Sequence, residues 1–171
     1  MKKSKYVLLT LLVSLSLFSC KKDFEPTKSE VVNMSGEWWV ALFDSETATT
    51  PIHLGDYSDI GGSIVTTNTA ANTSSELLID DFEHIWPFKV KVPIDYPNLT
   101  FTAANDLINL YDSTITVNVH SGKILKNAAT SPGTGHVTDS IVLELEFSDD
   151  PGTIYWFKGY KDTGWPDDRW D

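Results

Sequence analysis

Ser140-Ile141-Val142-Leu143-Glu144-Leu145-Glu146-Phe147 puts Ile141, Leu143, Leu145 and Phe147 on one face of an extended chain and Glu144 and Glu146 on the other. A period of two with carboxylates on one side describes a strand with one buried and one wet face. Asp149-Asp150-Pro151-Gly152 follows, where proline and glycine supply the dihedrals of a turn. Thr153 to Tyr160 then returns as the partner of a hairpin.

The same alternation recurs outward from this hairpin. Phe88, Val90, Val92 and Ile94 face away from Lys89 and Lys91, and Ile115, Val117 and Val119 face away from Thr116, Asn118 and His120. Ser121-Gly122 reads as a turn into a strand over Lys123 to Lys126. Trp38, Val40 and Leu42 oppose Trp39, Ala41 and Phe43, while Gly62 to Thr67, Glu76 to Asp80 and Leu99 to Thr102 are shorter candidates. No link is long enough for a helical crossover, so the fold expected is all-β and antiparallel, a barrel or a sandwich of eight or nine strands. Closure into a barrel removes the exposed edges that an open sheet would leave. Two strands, around Trp38-Trp39 and Ile154-Phe157, are apolar on both faces. Their second face calls for cover by the N-terminal segment, the last residues or a partner.

The N-terminus has a different composition. Met1 to Lys5 is basic, Tyr6 to Phe18 is apolar, and Cys20, the single cysteine of the 171-residue chain, follows Ser19. These are the parts of an export signal, and 13 apolar residues fall short of the roughly 20 that span a bilayer. Leu17-Phe18-Ser19-Cys20 resembles the lipobox of bacterial lipoproteins, which implies cleavage behind Ser19 and acylation (diacyl or triacyl, palmitate-like) of Cys20. The organisation expected is a signal peptide over 1–19, a lipid-anchored tether over 20–34 and one barrel domain over 35–171. Such a chain sits on the outer membrane, on its periplasmic or its cell-surface side. With no second cysteine the fold rests on packing, not on disulfides.

Without residues 1–19 the chain keeps ten basic residues against 24 acidic ones, a formal charge of −14. A body this acidic is repelled by phosphate backbones, which excludes nucleic acid as a partner. His53, His84, His120 and His136 are scattered, none in a metal-ligand spacing, and there is no nucleophile elbow and no phosphate-binding glycine loop. The residues call for no cofactor, no metal and no catalytic group. Asp80, Asp81, Glu83 and His84 form the densest polar cluster; carboxylates can hold a hard cation, but a solvated strand end is the plainer reading. Asp167, Asp168 and Asp171 read as a frayed acidic tail.

Six tryptophans are the better lead. A barrel of about eight strands is either filled with side chains or holds one small ligand. Aromatic rings with polar tips suit an apolar or amphipathic molecule, and Trp86, Tyr96, Tyr111 and Trp156 are the residues placed at its mouth. Finally, Ser35-Gly36-Glu37-Trp38-Trp39-Val40, Gly122-Lys123-Ile124, Asp139-Ser140-Ile141 and the closing run Tyr155 to Asp168 resemble a family of lipid-binding lipoproteins of Bacteroidetes with a calycin-like (lipocalin-like) barrel. Lys161 and Trp165 stand where that family's closing signature has arginine and phenylalanine. The resemblance implies an envelope lipoprotein that binds a small lipid-like ligand. The alternative is a non-enzymatic accessory module that meets another envelope protein. Hydrolase activity, part of the description such families carry, ranks behind both, because no catalytic residue transfers with the resemblance.

Overall fold

The computed structural model describes residues 28–52 and 61–169. Cys20 and the signal segment, with His53 and Asp171, lie outside the described residues. Nine antiparallel strands run in the order β5-β4-β3-β2-β1-β9-β8-β7-β6, and β5 also pairs with β7. Eight of them therefore close a barrel and β6 is an extra strand on β7. The strands are β1 (Gly36–Phe43), β2 (Gly61–Asn68), β3 (Glu76–Asp80), β4 (Lys89–Asp95), β5 (Thr100–Phe101), β6 (Ala104–Ile108), β7 (Thr116–Thr130), β8 (Val137–Phe147) and β9 (Tyr155–Lys161).

The alternation decides which side faces in. Ile141, Leu143, Leu145 and Phe147 are all fully buried, as are Val90, Val92, Val117 and Val119. Trp38, Phe88, Phe147 and Phe157 are the largest side chains of this core, and Phe88 meets Phe147 and Phe157 edge-on at centroid distances of 5.4 and 5.7 Å. The expected turn at Ser121-Gly122 is absent: β7 runs straight through it, with His120 as an extra residue between the pairs Val119–Leu145 and Ser121–Glu144. Gly122 is there for space. A Cβ on it would lie 2.8 Å from the Leu143 side chain and 2.9 Å from the Phe101 ring. β6 escaped the alternation argument because its pairing with β7 shifts register between Ala104 and Leu107, which breaks the period.

The two ends of the barrel differ. At the end where β1 begins, the chain itself forms the seal. Val31 and Met34 are fully buried in the core, so the last part of the expected tether belongs to the packed domain. Met34 is fixed by its carbonyl, which accepts from the Thr66 hydroxyl, and Thr66 in turn accepts from the Trp38 indole N–H at 2.8 Å. Lys161 lies across the Trp38 ring, its ammonium 5.6 Å from the centroid, and donates to the Ser35 carbonyl.

The outer apolar face of β1 and β9 is covered by the chain. The Lys158 ammonium sits 3.9 Å from the Phe43 centroid and donates to the carbonyls of Ser45, Glu46 and Ala48. Burial pushes its pKa down. Trp39 donates to Asp162, and the Tyr160 hydroxyl donates to the Asp168 carbonyl. Asp168 is not frayed. It is fully buried, and its carboxylate accepts from the N–H of Gly133 and Thr134 and from the hydroxyls of Thr134 and Thr163. Gly133 leaves room for this tail, since a Cβ there would overlap the Asp167 carbonyl.

Two outcomes check this account. Met34→Ala is expected to cost about 2–5 kcal/mol in denaturant unfolding, like a strand core residue, while Val32→Ala, at a 60 % exposed position, stays within about 0.5 kcal/mol. Burial alone would raise the pKa of Asp168, but the bonds from Thr134 and Thr163 hold it well below its ordinary 3.8. A carboxylate lowered by folding stabilises above its unfolded pKa, and that contribution is lost as pH falls below it. Asp168→Asn should therefore be less stable than the parent at neutral pH, with the gap in thermal midpoint narrowing below pH 3.8.

Candidate ligand site at the loop end of the barrel

The opposite end is where β1, β3, β6 and β8 finish and β2, β4, β7 and β9 start. The β3–β4 connection is organised by one side chain. The Asp81 carboxylate, fully buried, accepts backbone N–H bonds from Glu83, Ile85, Trp86 and Phe88 at 2.9, 3.3, 2.8 and 3.0 Å. Burial pushes the Asp81 pKa up against these donors. The bonds also hold Phe82 and Glu83 at φ of 51° and 62°, left-handed conformations that residues with a Cβ adopt at a cost. Ile85 and Trp86 are thereby folded over the interior. Ile85 fits above Gly62, where a Cβ would come within 3.0 Å of it.

Trp86 stacks on the buried Phe147 ring, centroids 4.7 Å apart and planes 10° from parallel, and leans on Tyr155 at 5.0 Å. The Tyr155 hydroxyl donates to Asp150 at 2.6 Å, and burial together with that carboxylate pushes its pKa up to about 12. Trp86 is thus a half-buried aromatic lid on the core. The same end carries exposed apolar groups: Phe82 (49 %), Leu110 (58 %) and Ile154 (39 %) in its connections, and Ile108 (61 %) on the outer face of β6 beside Thr116.

The four residues expected at the mouth are not gathered there. Trp86 is at this end and faces the core. Tyr111 is on the same end but lies outside the wall. Its hydroxyl donates to Asp80 at 2.6 Å, and that bond chiefly pushes its pKa up to about 12. Trp156 follows Glu144 in register and so points outward. Tyr96 is at the sealed end, where its hydroxyl accepts from the Asn33 N–H. Sequence reasoning did not bring Phe147 and Tyr155 to this site, and it read Asp81 as part of a solvated strand end where the structure buries it. Trp86 was expected at the mouth, but nothing local showed that Asp81 would turn its segment inward.

The acidic cluster around Asp80 separates in the same way. Burial opposes ionisation of Asp80, but Lys89 at 2.8 Å and Tyr111 hold its pKa below the usual range. Asp81 is committed to backbone. Among the described residues no three or more His, Cys, Asp or Glu side chains are placed to hold a metal. Among the described residues, two groupings pair a serine or threonine hydroxyl with a histidine. Ser63 Oγ lies 3.3 Å from His84 Nδ1, on the outer side of β2. Thr134 Oγ1 lies 2.6 Å from both His136 Nδ1 and Asp168 Oδ2. In the second the hydroxyl proton goes to Asp168, and the nearby N–H groups of Gly133 and Thr134 point at the same carboxylate. It works as a fastener, with no donor left over for an oxyanion.

Asp81→Ala would orphan the loop's N–H groups and is expected to cost on the order of 3 kcal/mol or more. It should also weaken the near-ultraviolet circular dichroism of Trp86, with Asp81→Asn milder on both readouts. Equal behaviour of the two variants would show that the carboxylate does not set the loop.

No curated protein matches the chain. A family profile described as "Lipid-binding putative hydrolase" matches residues 23–166, which takes in every strand of the barrel, and the chain belongs to that family.

Proposed function

We propose that this protein is a lipid-anchored envelope lipoprotein, attached through Cys20 on a Bacteroidetes-type outer membrane, that binds a small amphipathic lipid-like molecule at the loop end of its barrel. The observation that carries the reading is the asymmetry of the two ends. One is sealed by the fully buried Val31 and Met34, while the other carries the exposed Phe82, Leu110 and Ile154 together with the half-buried Trp86. A single acyl chain laid across Trp86 and this rim would bury apolar surface at about 25 cal/mol per Å². The acidic connections at this end, with Glu83, Asp149 and Asp150, favour a neutral or cationic headgroup over an anionic one.

A second reading has its own support. The interior is occupied by Trp38, Phe88, Phe147 and Phe157, all fully buried, which suits an accessory module whose rim meets another envelope protein. Ligand titration separates the two. Addition of a monoacyl lipid with a zwitterionic headgroup should shift tryptophan emission and raise the thermal midpoint, by about 2.7 kcal/mol of stabilisation at a hundredfold excess over Kd. Trp86→Phe should remove most of the emission shift. Absence of both signals in the parent protein would transfer the rim to the accessory reading. Independently, mass analysis of the membrane fraction should find an acyl adduct on Cys20, and Cys20→Ser should leave the protein unprocessed or released.

A further inference from the structure

We propose that the sealed end of the barrel rests on the membrane, with Val32, Val137 and Trp165 in contact with lipid, so that the loop end is held away from it. The inference rests on the acylation of Cys20 proposed above. Lys28 and Glu30 are pinned beside the β2–β3 turn by Asn72, whose amide donates to the Lys28 carbonyl and whose oxygen accepts the Glu30 N–H, each at 3.0 Å. The chain therefore enters the domain at the sealed end. Cys20 precedes Lys28 by eight residues, which reach at most about 28 Å when fully extended. β1 alone, with eight residues, rises about 26 Å along its own axis, and the loops add to the height of the barrel. Turning the loop end to the membrane would stretch the tether to its limit along the wall. Facing the sealed end to the membrane needs no stretching.

That end also carries surface suited to a bilayer interface. Val32, Val137 and Trp165 are 60, 66 and 56 % exposed. Val32 lies in the short 3-10 turn Val32–Met34, Val137 begins β8 and Trp165 precedes the closing 3-10 turn. The Trp165 ring lies parallel to His136 with centroids 6.3 Å apart, an apolar plate with a polar neighbour, the arrangement that tryptophan adopts at headgroup depth. The body is too acidic for attraction to anionic lipid, so acyl chains and these apolar groups supply the contact. The loop end has comparable apolar exposure, and the short tether decides between the two.

The test uses full-length acylated protein reconstituted into phosphatidylethanolamine–phosphatidylglycerol vesicles, with nitroxide labels on Val137→Cys, Trp165→Cys and, at the opposite end, Ile108→Cys. Labels at 137 and 165 should gain oxygen collisions over those with a water-soluble nickel chelate by several-fold on reconstitution, while the label at 108 stays water-accessible. A gain at 108, or no gain at 137 and 165 in protein that floats with the vesicles, overturns the orientation and leaves the anchor standing. Protein that does not float overturns the anchor and the orientation together. Val137→Cys keeps the experiment decisive if Trp165→Cys disturbs the Asp168 fastening.

Discussion

The barrel closes through two residues. Thr100 and Phe101 are paired with Asp95 and Ile94 of β4 on one side and with Lys123 and Gly122 of β7 on the other. Everything else in the sheet is arranged so that this short strand can touch both neighbours. Leu99 takes a left-handed conformation, φ 55°, to turn the chain out of the preceding 3-10 turn, and its carbonyl accepts the Ile124 N–H. Gly122 gives up a side chain so that Phe101 can reach the interior. The extra residue at His120 keeps Val119 and Gly122 on the same face while the strand bends. Beyond Phe101 the chain stays with β7 as β6, and its link to β4 reduces to a few bonds: Thr102 to the Pro93 carbonyl, Leu110 to the Lys89 carbonyl, and the Asn109 side chain to Lys89 and Pro87.

Two buried carboxylates, one at each end, do the work that disulfides do in other small domains. Asp81 gathers backbone N–H groups and sets the loop that carries Trp86. Asp168 gathers backbone and hydroxyl donors from the β7–β8 connection and from Thr163, and so fastens the closing run to the barrel. They titrate in opposite directions: burial prevails at Asp81 and pushes it up, whereas the donors prevail at Asp168 and hold it down. The run Thr163 to Asp168, which in sequence resembled a family signature, thus has a mechanical meaning. Its threonine and its last aspartate are two halves of one fastening.

The strands with strict alternation were legible because the signal is local: Ile141, Leu143, Leu145 and Phe147 each report a face through their immediate neighbours. Gly122 misled because glycine serves both to turn a chain and to let another chain come close, and only the position of Phe101 tells which. β6 was illegible because a register shift removes the period on which the reading depends. The aspartates were illegible for another reason. Whether a carboxylate is solvated or buried is set by donors that arrive from elsewhere: Thr134 is 34 residues from Asp168. The aromatic residues expected at the mouth do not share one place. Of the four, Trp86 covers the core, Tyr111 and Trp156 face outward, and Tyr96 serves the sealed end.

The burial of Val31 and Met34 has a mechanical consequence. Any pull on the chain upstream of Lys28 passes first to Asn72 and then directly into the core and the start of β1. β1 lies between β2 and β9 and is antiparallel to both, so a tug along its axis loads both ladders in shear, with their hydrogen bonds strained together instead of one at a time. Force arriving through the N-terminus is therefore met by two ladders at once. The loop end, with Trp86, lies at the far end of β1 from the point where such a pull enters.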